Sequence, residues 1–280
     1  MATQTNTPEF WLEHLTPERR EQNKYSRGHV LVISGPEMVG ASKLAATAAR
    51  RIGAGMVTVM APEDTRDFFI TDSPGLLFEP LKTADALQKF CQERKVRAIV
   101  VGQGLGRTEK ARKTVLAVLA CGLPTVLDAD GITAFSSTPA DLIKALHDKC
   151  VLTPHEAEFL KFFTSASEHS KPAATQLAAH KTGAVVAHKG AETIIATGNE
   201  AIRSTEGSPF LATAGSGDVL AGVIGGLLAR QTPALYAACA GVWVHGTAGQ
   251  TVGFGLIAED LPAACAKALA PHMEKTTKRG

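Results

Sequence analysis

Short apolar segments alternate with helical segments through most of this chain, and this alternation constrains the fold more than any other feature. Strands are predicted at residues 30–34, 56–60, 98–101, 124–127 and 150–152. Helices are predicted between and after them, at residues 41–52, 108–121 and from Glu156 onward. Apolar strands separated by helices are typical of a parallel sheet that is covered on both sides. We therefore expect an α/β fold with a mostly parallel central sheet and helices on both faces.

The rest of the chain extends this pattern. Residues 184–187 and 193–196 are predicted to form a hairpin or adjacent strands, and residues 219–230 and 233–249 to form helices. Residues 1–27 are predicted to be a helical extension. Because no repeat or linker divides the 280 residues, we expect one domain.

Composition excludes several classes of protein. The 29 basic and 27 acidic residues leave a net charge of +2, which is too balanced for a nucleic-acid-binding surface. The longest apolar stretch, residues 219–229, is too short to span a bilayer, and the first thirty residues lack the apolar core of a secretory signal. Five scattered cysteines are typical of a reducing compartment. We expect a soluble cytoplasmic protein without a nucleic-acid or membrane partner.

The most informative motif is Gly215-Ser216-Gly217-Asp218, which precedes an apolar helix. Two glycines allow the backbone to turn its N–H groups outward, so Gly215, Ser216 and Gly217 are predicted to form an anion hole at the helix N-terminus. Asp218 could accept a proton from an attacking hydroxyl. Charge stabilisation together with a positioned base is what phosphoryl transfer requires. The alternative is that Ser216 or Asp218 only caps the helix.

Two other segments follow predicted strands. His155 and Glu158, in Thr153-Pro154-His155-Glu156-Ala157-Glu158, could face the same crevice, and Glu158 could hold Mg²⁺ through water. Alternatively, Glu158 only favours the helix dipole and His155 is a satisfied strand-end residue. A second candidate is the turn Lys189-Gly190-Ala191-Glu192-Thr193, whose Lys and Thr could contact phosphate.

Other motifs are excluded or uncertain. The segment after Gly35 lacks the Lys-Ser/Thr pair of a P-loop, and residues 102–106 lack the glycine spacing of a dinucleotide fingerprint. Asp128 and Asp130 could bind a ligand or a metal, or they could cap a helix. His245 and Trp243 are predicted to be packing residues.

Taken together, these segments resemble the ADP/ATP-dependent NAD(P)H-hydrate dehydratase family, whose fold is ribokinase-like. The resemblance extends from about Gly28 to about Gly249. It is carried by Gly28-His29-Val30-Leu31-Val32-Ile33, Gly40-Ala41, Arg51-Ile52-Gly53-Ala54-Gly55-Met56-Val57, Gly102-Gln103-Gly104-Leu105-Gly106, Leu127-Asp128-Ala129-Asp130, Leu152-Thr153-Pro154-His155-x-x-Glu158, Lys189-Gly190-Ala191 and residues 212–222.

This resemblance implies an (S)-NAD(P)H-hydrate dehydratase, a carbon–oxygen lyase that repairs NADH or NADPH hydrated at the C5–C6 double bond. ADP or ATP would phosphorylate the C6 hydroxyl, and loss of phosphate would restore the double bond. The implied contacts to the hydrated cofactor are Ala41, Gly104, His155 and Asp218. Those to the adenine nucleotide are Lys189, Gly190, Ala191, Glu192, Thr193 and Gly217. The resemblance also suggests a homo-oligomer, specifically a tetramer. Many relatives carry an N-terminal epimerase domain, for which this sequence has no room.

The sequence departs from the family pattern at a few positions. Gln103 replaces a usual proline, Met38 a common aromatic residue and Pro36 a usual serine. Ser208 and Leu211 stand where Asn and Met are expected, and Ser26-Arg27 replaces a Gly-Asp or Gly-Lys pair.

Two rival functions remain open. A small-molecule kinase of the same fold, for a vitamin precursor such as hydroxyethylthiazole or hydroxymethylpyrimidine or for a sugar, would use the same Asp218 and stop at the phosphorylated product. A non-catalytic protein that senses an adenine nucleotide would keep the binding residues without turnover.

Overall fold

The computed structural model describes residues 3–163 and 168–277. The strands in these residues are β1 (Gln4–Thr5), β2 (His29–Ile33), β3 (Met56–Ala61), β4 (Leu77–Pro80), β5 (Ala98–Val101), β6 (Thr125–Leu127), β7 (Cys150–Leu152), β8 (Val185–His188), β9 (Thr193–Ala196) and β10 (Ala201–Ser204). The α-helices are α1 (Pro8–Trp11), α2 (Val39–Arg51), α3 (Arg66–Ile70), α4 (Ala84–Glu93), α5 (Glu109–Leu119), α6 (Asp130–Thr133), α7 (Pro139–Ala145), α8 (Glu156–Phe162), α9 (Lys171–Thr182), α10 (Ser216–Ala229), α11 (Ala234–Val252) and α12 (Leu261–Thr277).

All ten strands in the described part of the chain join one sheet, in the order β1-β10-β9-β8-β7-β6-β5-β2-β3-β4. Neighbouring strands are parallel except that β9 runs antiparallel to both β8 and β10. The predicted α/β fold with a mostly parallel sheet is confirmed, and residues 184–187 and 193–196 do form an antiparallel pair. The predicted strands and helices after residue 27 end within about three residues of the observed boundaries.

Alternate residues of the strands pack into two separate apolar layers. In β2, Val30 and Val32 join a core with α2, α10, α11 and α12, whereas Leu31 and Ile33 join a core with α4, α5, α7, α8 and α9. Side chains alternate between the two faces of a strand, so a strand that is apolar at every position must be covered on both faces. The continuous apolar runs of the sequence follow from this arrangement.

The N-terminal segment differs from the predicted helical extension. Residues 4 and 5 form an edge strand in which Gln4 pairs with Ile202, and α-helix is limited to Pro8–Trp11, followed by the 3₁₀ helix Leu12–His14. Pro17 disfavours helix at Thr16, so a helix could not extend beyond that residue. The segment is nevertheless well packed, because Trp11 is fully buried 5.8 Å from the ring of Trp243.

No helix within the described residues is both long and apolar enough to cross a membrane.

Candidate active site

The loops after β2 and β5 meet where the strand order changes direction. The N–H of Gly35 donates to the carbonyl of Gln103 at 3.2 Å, and a Cβ on Gly35 would lie only 1.7 Å from the carbonyl oxygen of Gly104. No side chain at position 35 could be accommodated. In open α/β sheets a ligand binds at such a switch point. Gly104 and Ala41, which are predicted to contact the substrate, both lie near this switch point. Met38 contacts each of them, because its carbonyl accepts a hydrogen bond from the N–H of Ala41 and its side chain lies next to Gly104.

A row of polar side chains follows the carboxyl ends of the adjacent strands β6, β7 and β8. The Asp128 carboxylate after β6 accepts hydrogen bonds at its Oδ1 atom from the Thr153 hydroxyl, at 2.8 Å, and from the Lys189 ammonium, at 2.9 Å. Asp128 is 3% exposed, so its charge needs these partners. Burial lowers the pKa of Lys189, but the Asp128 carboxylate outweighs that effect and the pKa is raised overall. Lys189 therefore remains a cation.

The N-terminus of α10 is built by a glycine and two hydrogen bonds. Gly215 precedes the helix with φ 90°, a left-handed conformation that favours glycine. The Ser216 hydroxyl donates to the carbonyl of Leu211 at 2.7 Å, and His245 Nε2 donates to the carbonyl of Ser216 at 2.9 Å. His245 is buried as predicted, and burial lowers its pKa to about 4, so the ring is neutral at physiological pH. The Ser216 N–H donates to the carbonyl of Thr213 at 3.4 Å, so the N–H groups available to an anion in the first turn of α10 are those of Gly217 and Asp218.

Asp218 lies in the first turn of α10 and is half-buried. Burial and then the Asp128 carboxylate raise its pKa, the Lys189 ammonium and Gln103 lower it, and the net pKa is about 7. Gln103 is 1% exposed and neither of its amide atoms forms a well-aligned hydrogen bond to a described residue. A carboxylate with a pKa near neutrality can accept and release a proton at physiological pH.

His155 and Glu158 form a capping box at the start of α8. His155 Nδ1 accepts from the N–H groups of Ala157 and Glu158, at 3.1 and 3.4 Å, and Glu158 Oε2 accepts from the N–H of His155 at 2.9 Å. The structure thus gives both residues a capping role that the sequence did not predict, and their roles in binding remain predictions. Glu158 Oε1 lies 3.5 Å from the His155 ring, and Glu158 contributes to the electrostatic environment of Asp218.

A cavity of about 880 Å³ lies beside this polar row. Five of the six residues predicted to contact a nucleotide line it, namely Lys189, Gly190, Ala191, Thr193 and Gly217, together with Ser216 and His155 from the other predicted groups. Glu192 does not line it, because its carboxylate bonds Arg203 at 2.9 Å. A Cβ on Gly217 would lie 3.3 Å from the Lys189 ammonium, so Lys189 is adjacent to the turn of residues 215–217 that is predicted to form the anion hole.

Most departures from the family pattern fall around this cavity and the switch point, whereas Arg27 lies elsewhere and donates to the carbonyl of Gly53 at 3.2 Å. Ser208 accepts from the N–H of Phe210 at 3.3 Å and caps the 3₁₀ helix Pro209–Leu211, and the side chain of Leu211 packs against Gly249. Both residues line the cavity. Pro36 is exposed, and Met38 is 75% exposed with φ 47°. The structure gives no account of why methionine occupies that strained position.

Comparison with known proteins assigns the family. The sequence model of the NAD(P)H-hydrate dehydratase family matches residues 30–266. This chain belongs to the NAD(P)H-hydrate dehydratase family. It is 37% identical over 250 residues to the ADP-dependent (S)-NAD(P)H-hydrate dehydratase of Neisseria meningitidis, covering 85% of this chain and 82% of that protein.

Two further comparisons agree with this family. The chain is 34% identical over 258 residues to a bifunctional NAD(P)H-hydrate repair enzyme of Coxiella burnetii, covering 88% of this chain but only 51% of that protein. It therefore spans about half the length of such bifunctional relatives. Its fold superimposes with a TM-score of 0.81 on the ADP/ATP-dependent NAD(P)H-hydrate dehydratase of Bacillus subtilis co-crystallized with ATP/Mg²⁺, at 26% identity over 97% of this chain and 99% of that one. The expected ribokinase-like fold is confirmed, since another such match is a ribokinase-like superfamily protein.

Within this NAD(P)H-hydrate dehydratase fold, sequence reasoning overlooked two contributors to the site. The sequence does not decide whether Asp128 binds a ligand or caps a helix, and in the structure it forms an ion pair with Lys189. The sequence identifies Gln103 only as a departure from the family pattern, and in the structure it contributes to the pKa of Asp218. The sequence signal for both was their position directly after β6 and β5. Asp130 instead supports the glycine loop, because its carboxylate accepts from the N–H of Gly106 at 2.9 Å.

Proposed function

We propose that this protein removes water from hydrated NADH and NADPH in a reaction driven by ADP or ATP. The observation that carries the proposal is the position of Asp218, a carboxylate with a pKa of about 7 at a helix N-terminus and in the field of the Lys189 ammonium. The named activities of its relatives in Neisseria meningitidis and Bacillus subtilis support this reaction.

The proposed chemistry has two steps. Asp218 takes the proton of the C6 hydroxyl as that oxygen forms a bond to the terminal phosphorus of the nucleotide, and the bond between this phosphorus and its bridging oxygen breaks. The bond between C6 and the phosphorylated oxygen then breaks, so that phosphate leaves. Loss of a proton from C5 restores the C5–C6 double bond. The N–H groups of Gly217 and Asp218, with Lys189, would stabilise the charge of the transferred group.

The cavity beside Lys189 supports a division of the site between two ligands. We propose that Lys189, Gly190, Ala191, Thr193 and Gly217 contact the adenine nucleotide from the cavity, with Glu192 fixing the turn through Arg203. Ala41, Gly104 and Asp218 would contact the hydrated cofactor from the switch-point side. His155 lines the nucleotide cavity as well, so it would lie between the two ligands.

The side chains of the site are compatible with a Mg²⁺ ion that takes most of its ligands from the phosphates of the nucleotide and from water. No group of three metal-ligating side chains occurs among residues 3–163 and 168–277. Mg²⁺ commonly uses only one or two carboxylates and takes its other ligands from phosphate and water. Glu158 fits this requirement because its Oε1 oxygen is not used by the capping box. We propose that Glu158 holds the ion through water and that the ion neutralises phosphate charge.

We further propose that the protein acts in the cytoplasm as a homotetramer and that residues 1–280 form a single domain. The five free cysteines support a reducing compartment. Exposed apolar side chains, including Phe254 at 94% and Ile257 at 53% exposure, support association between subunits. Sedimentation and chemical crosslinking would measure the state of association directly.

An absorbance assay at the reduced-nicotinamide band would test the proposed function. Purified protein, Mg²⁺ and hydrated NADH or NADPH would be mixed with ADP or with ATP. The expected result is a nucleotide-dependent rise in absorbance, which would also identify the phosphoryl donor. If ADP and ATP bind but neither produces a rise, the dehydratase proposal is wrong and the small-molecule kinase becomes the leading hypothesis.

A further inference from the structure

Lys171 lies against the nucleotide loop, which we define as residues 189–193. This lysine is the first residue of α9, far from the loop in sequence. Its ammonium donates to the carbonyl of Lys189 at 3.1 Å and to the carbonyl of Glu192 at 2.7 Å. These two carbonyls flank Gly190 and Ala191, so one cation fixes the separation of the two ends of the turn.

The contact is charged and partly shielded from water, which makes it stronger than an exposed hydrogen bond. Burial lowers the pKa of Lys171, while the Glu156 and Glu192 carboxylates oppose that effect. Hydrogen bonds from an ammonium to carbonyl oxygens are charge-assisted and stronger than neutral ones. The Glu192 side chain is held independently by Arg203 at 2.9 Å. The loop is therefore fixed from both sides.

Lys171 also accounts for the glycine at position 190. A Cβ on Gly190 would lie 2.6 Å from the Lys171 ammonium, closer than real Cβ atoms approach a heavy atom. A side chain at position 190 must therefore shift the ammonium, which ends a flexible side chain, relative to the two carbonyls that it binds. The glycine that gives a nucleotide close access to the backbone is the same residue that makes room for the cation.

We propose that Lys171 is a positioning residue that holds the nucleotide loop in the conformation that receives the adenine nucleotide. The inference rests on the proposed function, because it assigns to Lys171 the shaping of that same nucleotide site. Lys171 acts through the loop carbonyls and does not participate in proton transfer. Its loss weakens nucleotide binding and leaves the chemical step on bound substrates nearly unchanged.

Calorimetric titration with ADP, and separately with ATP, tests this role. Lys171→Met keeps the length of the side chain and removes the charge, and we expect its Kd for nucleotide to rise about 10–100-fold. The matched control is Lys181→Met, which removes an exposed lysine from the last turn of the same helix and leaves Kd unchanged. In the turnover assay, Lys171→Met raises KM for the nucleotide while kcat stays within about threefold of wild type.

A double-mutant cycle separates positioning from general stability. Gly190→Ala alone should weaken nucleotide binding because it displaces the ammonium, and Lys171→Ala should weaken it because the ammonium is missing. Because Gly190 also contacts the nucleotide, the double variant Lys171→Ala/Gly190→Ala should lose some further affinity, but less than the sum of the two single losses. If Lys171→Met fails to fold, the Gly190→Ala variant and its thermal unfolding carry the test instead.

The outcomes distinguish this inference from the proposed function. Normal binding by wild type together with an unchanged Kd in Lys171→Met would overturn the role of Lys171 alone. Additive losses in the cycle would also overturn it. Absence of nucleotide binding in the wild-type protein would overturn both the inference and the proposed function.

Discussion

The ammonium of Lys189 lies 2.9 Å from the carboxylate of Asp128, so the cation that lowers the pKa of Asp218 is itself bound to the carboxylate that raises it. The pKa of Asp218 is therefore set by burial together with the opposing effects of this ion pair. Their balance, a pKa of about 7, lets the group change its protonation state near neutral pH. That is the range in which a general base is most effective.

The pH profile of turnover should report this pKa. Because Asp218 must be deprotonated to act as the base, kcat/KM for the hydrated cofactor should rise about tenfold per pH unit below pH 7 and level off above it. Rates would be measured at a saturating nucleotide concentration across a range in which the protein remains folded. A profile that is flat from about pH 5 to pH 8 would contradict the assignment.

Substitution of either member of the ion pair should shift that profile, in opposite directions. Lys189→Met removes a cation that lowers the pKa of Asp218, so the rising limb should move to higher pH. Asp128→Asn removes a carboxylate that raises the same pKa, so the limb should move to lower pH. The control is Asp141→Asn, which removes an exposed carboxylate in α7 and should leave the rising limb of the profile at the same pH. Shifts of the same sign in both variants would refute this electrostatic arrangement.

Asp218 should also destabilise the ligand-free protein at alkaline pH. A carboxyl whose pKa is raised from 3.8 to about 7 on folding contributes stability that is fully present below the unfolded pKa and is lost as pH rises through 7. Asp218→Asn should therefore increase the free energy of unfolding relative to wild type by about 2 kcal/mol at pH 8, and by much less near pH 4. Urea unfolding at both values would measure the difference. An equal effect at the two pH values would indicate a cause other than ionisation.

The elements that the sequence predicted carry a clear apolar pattern, but the prediction also omitted α4, whose Leu87 and Cys91 are buried, and α12. Strands such as β5 and β7 are fully buried and read as continuous apolar runs. Helix α9 was missed because its buried face consists of small or polar residues, Ala174, Thr175, Ala178, Ala179 and Thr182, which give no apolar stripe. The edge strands β1 and β4 were missed because they are short and partly exposed.

The site could be predicted only where its members are close in sequence. Residues 215–218 and 189–193 form continuous motifs, and the chemistry of each follows from residue type. The pairing of Asp128 with Lys189 depends on β6 and β8 lying on either side of β7, and the two residues are 61 positions apart. Lys171 gave no signal at all, because its partners are backbone carbonyls and any residue type supplies those.

Trp11 should be important for stability although it is not one of the predicted site residues. Its side chain is fully buried against Trp243 and His272, so Trp11→Ala leaves a large cavity and should lower the free energy of unfolding by about 3–5 kcal/mol. The matched control is Tyr25→Ala, a residue that is 54% exposed and whose loss should change stability by less than about 1 kcal/mol. Comparable losses in the two variants would show that the N-terminal segment does not pack as described.

Asp218→Ala distinguishes an enzyme from a nucleotide sensor. Removing the base should lower kcat about 10²- to 10⁴-fold, because proton transfer in the transition state loses its acceptor. Nucleotide affinity should be unchanged or higher, because the substitution removes a carboxylate beside the anion-binding turn. Calorimetry and the absorbance assay would be run on the same preparation, with Asp141→Ala as the control. Near-normal turnover in Asp218→Ala would refute the role of the base, whereas lost turnover with retained binding excludes a protein that only senses the nucleotide.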